Sequence, residues 1–259
     1  MISLTTAEIN AWIVAYFYPL ARILALLAAA PPFNNAGLPV RVRLVLGLGI
    51  AIAIAPVLPS VPAIASASGA GLLILAQQIL IGFAMGFSLR LVFGAIDLAG
   101  MMISTQMGLG FATAFDPNSA AQTAVVSEFL TMLSLLLFMA INGHLMVLAT
   151  LSESFTILPI GASVLADGSW LNIANAGGVV FTTGVMLALP IVVALLITNV
   201  ALGILARVAP QLNIIAIGFP ITMVVGFAAL YVSMSFLSAP LQRTFEYGLQ
   251  SMLGFFVLR

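Results

Sequence analysis

The side chains that most often carry out catalysis are scarce in this sequence, and their spacing matches no catalytic pattern. His144 is the only histidine and the chain has no cysteine, which excludes thiolate sites and metal sites built from several histidines. Gly161-Ala162-Ser163 lacks the closing glycine of a nucleophile elbow, and no phosphate-binding glycine loop is present. We therefore expect a non-enzymatic protein without metal or cofactor, in which His144 is a packing residue with satisfied hydrogen bonds.

A few charged and polar residues lie inside apolar segments, where they are costly. A lone arginine at the centre of a membrane helix costs about 2.5–3.5 kcal/mol on insertion scales, so we expect Arg22 to form a buried ion pair with an acid of this chain or of a partner. Snorkelling to the membrane interface is the alternative. Arg90 and Asp97 are two turns apart on one helix face and either line a polar stripe or, if the helix ends near Arg90, are solvated. Asn199 is expected to hydrogen-bond to a neighbouring helix.

The composition indicates a membrane protein or a subunit covered by other subunits. Of 259 residues, 63% are hydrophobic and 5% are charged, whereas a soluble domain has roughly 25% charged residues. All seven basic residues are arginines, and seven acidic residues balance them to a net charge of zero. No basic patch is available to bind nucleic acid.

Six apolar segments approach the length of about 20 residues that spans a bilayer. They are about 9–30, 44–58, 72–98, 125–151, 173–206 and 214–237. The second is short for a full span. We expect Pro190 to kink the fifth segment and Pro240 to end the sixth. Residues 241–259 then form an amphipathic tail. This tail either re-enters the membrane as a seventh helix or belongs to a protein that is not placed in the bilayer in the usual way. The fold class predicted is all-α: a polytopic, membrane-associated helical protein with kinked or broken helices.

Glycines in two of these segments are spaced for close helix packing. Gly82 and Gly86 form a Gly-x-x-x-Gly motif in the third segment, and small residues at that spacing let helix backbones approach. Gly177-Gly178, Gly184 and Gly203 are expected to do the same in the fifth segment.

The central stretch 104–123 interrupts the apolar pattern with glycines, polar residues and a proline. Its Gly-x-Gly pair weakens a helix by about 1 kcal/mol per glycine, and Asp116-Pro117 favours extended backbone. Between spanning helices, such a segment is a loop in water or non-helical backbone that lines a protected cavity. We interpret it as a plug that occludes a pore, and the alternative is a solvated connector. The residues assigned to the plug are Gln106, Met107, Gly108, Gly110, Phe111, Phe115, Asp116 and Pro117.

Methionines gather just before this stretch, at positions 101, 102 and 107. Methionine is flexible and fills irregular gaps. We favour ordinary packing for all three over a role in sealing the pore.

Three stretches together resemble the FliR family of flagellar type III export proteins, called SctT in virulence-associated injectisomes. The first is Ala21-Arg22-Ile23 with Pro31-Pro32-Phe33 and Gly37-Leu38-Pro39-Val40-Arg41. The second is Gln106-Met107-Gly108-Leu109-Gly110-Phe111-Ala112 followed by Phe115-Asp116-Pro117. The third is Arg207-Val208-Ala209-Pro210-Gln211-Leu212-Asn213-Ile214, continuing to Ile217-Gly218-Phe219-Pro220. The resemblance covers essentially the whole chain.

The resemblance implies a single-copy subunit of a hetero-oligomeric export gate with FliP-like and FliQ-like subunits, which an FlhB-like subunit wraps. Residues 1–172 then correspond to a FliP-like part and 173–259 to a FliQ-like hairpin with its tail. Unfolded flagellar proteins leave the cytoplasm through this gate. The family assembly sits at the base of the flagellum in the bacterial inner membrane, lifted toward the periplasmic side, in contact with lipid. Residues expected to support assembly are Arg22, Arg90, Asp97, Asn199, Arg207, Gln211 and Asn213.

Two other functions fit parts of the sequence. The injectisome protein of the same gate is the nearest alternative, since the motifs do not separate the two systems. A small-molecule secondary transporter is the rival from another class, supported by Pro56, Pro190 and the intramembrane Arg22. The halves of the chain are unlike, however, whereas transporters usually have related halves with matched broken helices. An intramembrane hydrolase is a more distant rival.

Overall fold

The computed structural model describes residues 13–34, 37–58, 68–109, 125–161, 169–211 and 214–256, and these contain helices and turns but no strand. Within them, a π-helical turn, Ile13–Phe17, leads into α1, and a 3₁₀ turn, Ala55–Val57, follows α2. The α-helices are α1 (Tyr18–Ala29), α2 (Val40–Ile54), α3 (Gly69–Gln106), α4 (Val125–Ala140), α5 (Gly143–Ile157), α6 (Ser169–Val208) and α7 (Ile214–Gly254). The all-α prediction is confirmed.

Three of these helices are long and apolar enough to cross a membrane. They are α3, α6 and α7, and the bent pair α4–α5 makes a fourth span if it is counted as one. The most apolar window of α3 is 61% buried, but those of α6 and α7 are each only 22% buried. Most apolar side chains of α6 and α7 therefore face outward, toward lipid or toward other subunits. This is the polytopic, membrane-associated protein that the composition predicts.

The segment predicted as one helix at 125–151 is broken in the structure. Asn142 separates α4 from α5 and has a left-handed backbone with φ 58°. Asparagine tolerates this conformation better than most residues, and Gly143 follows it. The Asn-Gly pair thus ends one helix and begins the next, and the fold contains the broken helix that we expected, at a different place.

The expectation that Pro240 ends the sixth segment is wrong. α7 continues through both Pro220 and Pro240 as far as Gly254, so the described part of the tail extends the same helix. A proline removes one backbone hydrogen bond and bends the helix. In apolar surroundings that loss is smaller than the cost of exposing the many N–H and C=O groups of an unwound tail. Pro190 likewise lies inside the continuous helix α6.

The chain forms two compact units. The first comprises residues 1–91, 142–176 and 246–259, and the second comprises residues 92–141 and 177–245. In the first, Ile23, Leu26 and Met85 are fully buried. In the second, the rings of Phe93, Phe138 and Phe245 form a cluster with centroid separations of 5.2 to 6.0 Å.

Within the first unit, α1 packs against the first half of α3 with the two chains running in the same direction. The Tyr18 hydroxyl donates a hydrogen bond to the Gly71 carbonyl at 3.2 Å. Further along both helices, a Cβ atom at Gly82 would collide with the Arg22 carbonyl, and one at Gly86 would lie 2.7 Å from the Leu26 carbonyl oxygen. The prediction that Gly82-x-x-x-Gly86 packs closely against another helix is confirmed.

In the fifth segment only one glycine of the set meets a described neighbour. A Cβ at Gly184 would lie 2.9 Å from the Ala95 carbonyl oxygen, which fits the packing prediction. A Cβ added at Gly177, Gly178 or Gly203 would have no described atom of a neighbouring element within 4 Å. For these three, no packing partner is found in the part of the chain that the structure describes.

We expect Gly86→Ala to destabilise the protein by about 1–3 kcal/mol, because the added methyl group meets backbone atoms of α1. Gly94→Ala is the matched control on the same helix. Its Cβ would have only Val180 Cγ1, at 4.0 Å, as a neighbour, so it should stabilise by about 0.5–1 kcal/mol through the higher helix propensity of alanine. Unfolding of each variant in mild detergent measures the difference. Equal effects at the two positions would contradict the packing of α1 on α3.

Candidate functional site: a buried arginine cluster and the end of α3

The first candidate site is built around Arg22, which is 0% exposed. Its Nε donates a hydrogen bond to Gln78 Oε1 at 2.8 Å. Its Nη1 donates to the Ser154 carbonyl at 3.0 Å and to the Ser154 hydroxyl at 3.1 Å, and its Nη2 donates to the Leu158 carbonyl at 2.8 Å. The guanidinium also lies 4.2 Å from the ring centroid of Phe155. One side chain therefore joins α1, α3 and the end of α5.

Neutral groups compensate this buried charge. We expected a carboxylate, but the described chain surrounds Arg22 with an amide oxygen, a hydroxyl and two carbonyls. The Ser154 and Leu158 carbonyls lie at the carboxyl end of α5, where the helix dipole is negative. The Ser154 carbonyl also accepts from the Leu158 N–H at 2.9 Å, whereas the Leu158 carbonyl lies beyond the last helical turn. The Ser154 hydroxyl donates to the Leu151 carbonyl at 2.6 Å, which leaves its lone pairs free to accept from Arg22. The helix end thus takes the place of the acid.

Gln78 is fully buried beside Arg22, and no motif in the sequence predicted a role for it. Its Oε1 accepts from the arginine, whereas its Nε2 has no hydrogen-bond partner among the described atoms. Gln78 lies one turn before Gly82 on the face of α3 that contacts α1, so the Gly-x-x-x-Gly spacing together with Arg22 contained a signal for it.

We expect Arg22→Met to destabilise the protein by about 3 kcal/mol, because the Leu158 carbonyl and the Gln78 amide oxygen would stay buried without the arginine donor. Arg22→Lys should lose about half as much, since a compact ammonium cannot bridge acceptors as the planar guanidinium does. Arg90→Met is the control at an exposed position, where the effect should stay within about 0.5 kcal/mol. Unfolding in mild detergent measures all three. Equal stability of Arg22→Met and Arg90→Met would contradict the role of the cluster.

The second candidate site is the end of α3, where the central stretch begins. The Leu109 N–H donates to the Ser104 carbonyl and the Gly108 N–H donates to the Thr105 carbonyl, both at 3.1 Å. Gly108 has φ 80°. This is a Schellman cap with glycine at the position that requires a left-handed backbone.

The helix ends two residues later than the predicted start of the loop at 104. The Thr105 hydroxyl donates to the Met101 carbonyl at 2.8 Å, so this polar side chain is accommodated within the last helical turn. Gln106 is the last residue of α3 and is half-buried. Gly108, rather than the polar run before it, sets the end of the helix.

Met107 connects this helix end to α7 in the second unit. It is 0% exposed. The Thr222 hydroxyl lies 3.1 Å from the Met107 carbonyl, to which it donates, and the Met107 side chain covers Gly226. Of the three methionines before the loop, Met101 is exposed and Met102 is half-buried. Met107 is therefore a packing residue, as we favoured, whereas the exposed Met101 does not fit that prediction.

Five of the residues assigned to the plug lie outside the described part of the chain. They are Gly110, Phe111, Phe115, Asp116 and Pro117. Gln106, Met107 and Gly108 are described, and they form the end of α3 and its cap.

Arg90 and Asp97 both lie within α3, which continues well beyond Arg90, and both are exposed. The Asp97 carboxylate accepts a hydrogen bond from the Ser127 hydroxyl of α4. Gly100, one turn further along α3, lies so close to the Ser127 backbone that a Cβ atom there would collide with it. Asp97 therefore takes part in the contact between α3 and α4.

The remaining assembly candidates lie on exposed surface or outside the described residues. Asn199, Arg207 and Gln211 are exposed, and Asn213 is not described. His144 is half-buried near the start of α5, but its Nδ1 has no hydrogen-bond partner among the described atoms, so the expectation of a fully satisfied histidine is wrong. The described residues contain no group of three or more acidic, histidine or cysteine side chains that could hold a metal ion.

Comparison with known proteins places the chain in a family. The sequence profile named "Bacterial export proteins, family 1" matches residues 13–248. The Flagellar biosynthetic protein FliR of Pectobacterium carotovorum subsp. carotovorum is 46% identical over 231 residues, covering 89% of this chain and 88% of that protein. The FliR of Escherichia coli (strain K12) is 42% identical over 230 residues, covering 88% and 87%. That of Bacillus subtilis (strain 168) is 28% identical over 185 residues, covering 70% and 71%.

These matches cover most of each chain and agree with the resemblance found in the three stretches around Arg22, Gln106 and Arg207. The chain belongs to the bacterial export proteins of family 1, together with its FliR relatives.

Proposed function

We propose that this chain is a single-copy, non-enzymatic subunit of the flagellar type III export gate. As a family member with FliR relatives over most of its length, it is a component of the flagellar export apparatus. In this proposal it helps to form the pore through which unfolded flagellar proteins leave the cytoplasm. The central stretch that follows α3 acts as the plug of that pore.

The observation that carries the plug assignment is the way α3 ends. The last turn is capped, and Met107 is fully buried in the second unit. A helix that ends in a solvated connector has its last carbonyls in water. Here the Met107 carbonyl instead receives a side-chain donor from α7. At Met107 the end of α3 is therefore held against protein, which supports a plug that starts from a fixed base rather than from a solvated connector.

The exposed apolar surface supports a role inside a larger assembly. Asn199 is exposed on α6 between the exposed side chains Ile197 and Val200. In hydrocarbon an amide without partners is costly, and a neighbouring helix commonly supplies the hydrogen bonds. We propose that FliP-like and FliQ-like subunits cover part of this surface and that lipid covers the rest.

The same proposal assigns the two parts of the chain. Residues 1–172 take the place of a FliP-like subunit and residues 173–259, which contain α6 and α7, that of a FliQ-like hairpin. An FlhB-like subunit wraps the assembly on its cytoplasmic side. The gate lies in the inner membrane at the base of the flagellum, lifted toward the periplasm.

Deleting residues 110–117 should leave the gate assembled but make cells permeable to small solutes, because the bulk that closes the pore is removed. Deleting the eight residues 60–67, which precede α3 in the sequence, is the control of equal length and should not cause a leak. Solute entry and native-gel migration of the complex are measured together. Unchanged permeability of an intact complex lacking 110–117 would overturn the plug assignment.

Purification of the tagged chain from its native membrane, followed by mass spectrometry, tests the assembly. We expect one stable complex with several FliP-like and FliQ-like subunits and a single copy of this chain. Recovery with injectisome subunits would assign it to that system instead. Recovery alone or as a homodimer would contradict the gate and favour a transporter, for which substrate-stimulated proton flux is the positive test.

A further inference from the structure

We propose that Thr222 and Gly226 of α7 anchor the end of α3, so that the root of the central stretch stays fixed while the pore opens. The Thr222 hydroxyl donates to the Met107 carbonyl, and the Met107 side chain packs against the Gly226 backbone. Only the statement that the root stays fixed while the pore opens rests on the proposed function. The contact itself is tested independently below.

The hydrogen bond from Thr222 supplies a donor to the buried Met107 carbonyl at the end of α3. Met107 is the capping residue of α3, and with 0% exposure its carbonyl has no access to bulk water. The helix ladder and the cap account for the Ile103, Ser104 and Thr105 carbonyls, which accept from the N–H groups of Met107, Leu109 and Gly108. The Met107 carbonyl needs a donor from elsewhere. Thr222 provides it across 115 positions of the chain.

Gly226 makes the second half of the anchor. Thr222 and Gly226 are four residues apart, so they lie on one face of α7. A Cβ atom at Gly226 would lie 2.5 Å from Met107 Cγ and 2.8 Å from its Sδ and Cε. The Met107 side chain fills the space that a side chain at position 226 would occupy. Adjacent turns of α7 thus contact the backbone and the side chain of Met107.

The chain changes direction immediately after this contact. Gly108 has the left-handed backbone of the cap, and Leu109 is half-buried. Movement of the chain beyond Gly108 needs no change in α3, whereas movement of α3 itself would expose Met107 and break its bond to Thr222. The geometry therefore separates a fixed root from the stretch that follows.

Thr222→Val tests the bond with little disturbance of α7. Valine has nearly the shape of threonine. The single hydroxyl hydrogen of Thr222 is shared between the Met107 carbonyl and the Phe219 carbonyl of its own helix, at 3.1 and 3.0 Å. Thr222→Ser keeps the hydroxyl and is the matched control. Gly226→Leu tests the second contact by displacing the Met107 side chain.

The absence of cysteine from the chain allows a single probe, Leu109→Cys, in each background within the purified complex. Maleimide should label this thiol about fivefold faster with Thr222→Val, the factor expected for losing one neutral hydrogen bond. It should label faster still with Gly226→Leu and at the parental rate with Thr222→Ser. One common rate in all backgrounds would overturn the anchor. This readout uses neither leak nor export, so it stands even if the plug assignment fails.

A double variant, Met107→Cys with Gly226→Cys, tests whether the root stays fixed during export. Oxidation should join the two residues, since their side chains occupy the same space, and export of flagellar proteins should continue in the oxidised cells. A block of export by oxidation that reduction reverses would show that α3 and α7 must separate, and would overturn the fixed root. Failure of the disulfide to form would contradict the contact.

Discussion

Helix ends that lie in apolar surroundings impose the main constraint on this protein. The carbonyls of a final helical turn lack partners along the chain, and outside water each must find a donor. With 5% charged residues, the chain has few side chains that can donate hydrogen bonds. Two of its long-range hydrogen-bonded sites lie at the ends of helices. Arg22 donates hydrogen bonds to carbonyls at the end of α5, and Thr222 donates one to the carbonyl at the end of α3. Each contact fixes a helix end against an element distant in the sequence.

The two sites differ in strength for a physical reason. At Arg22 the donor is charged, and hydrogen bonds to charged groups are roughly twice as strong as neutral ones. The carbonyl dipoles of α5 compensate the charge without a second ion, so the cost of desolvating a carboxylate is avoided. At Thr222 a single neutral hydroxyl makes the contact, and close packing of Met107 on Gly226 supplements it. The first arrangement stabilises the first unit, and the second positions the start of one segment.

Much of the architecture follows from the sequence because apolar length and glycine spacing are local signals. The helical class, the long helices and the Gly82-x-x-x-Gly86 contact could be predicted in this way. The partners of Arg22 could not, because they depend on where α5 ends in space, and a carboxylate was the simpler guess for a lone arginine. The prediction that Pro240 ends a helix was wrong because it used only the local rule for proline. In an apolar environment, an unwound backbone costs more than a bent helix. The role of Thr222 at Met107 requires a contact between distant positions that no local pattern records.

Fixed helix ends also decide where this chain can move. A rigid-body shift of α3 would have to break Arg22–Gln78 and Tyr18–Gly71 in the first unit and Met107–Thr222 in the second. These losses add because the contacts share no partner. Changes in backbone angle beyond Gly108 break none of them. In the gate that we propose, a change confined to the central stretch would open the pore while α3 keeps these contacts. The few polar donors of the described chain are therefore placed where they hold helix ends, and at α3 a change in the backbone beyond Gly108 leaves those contacts intact.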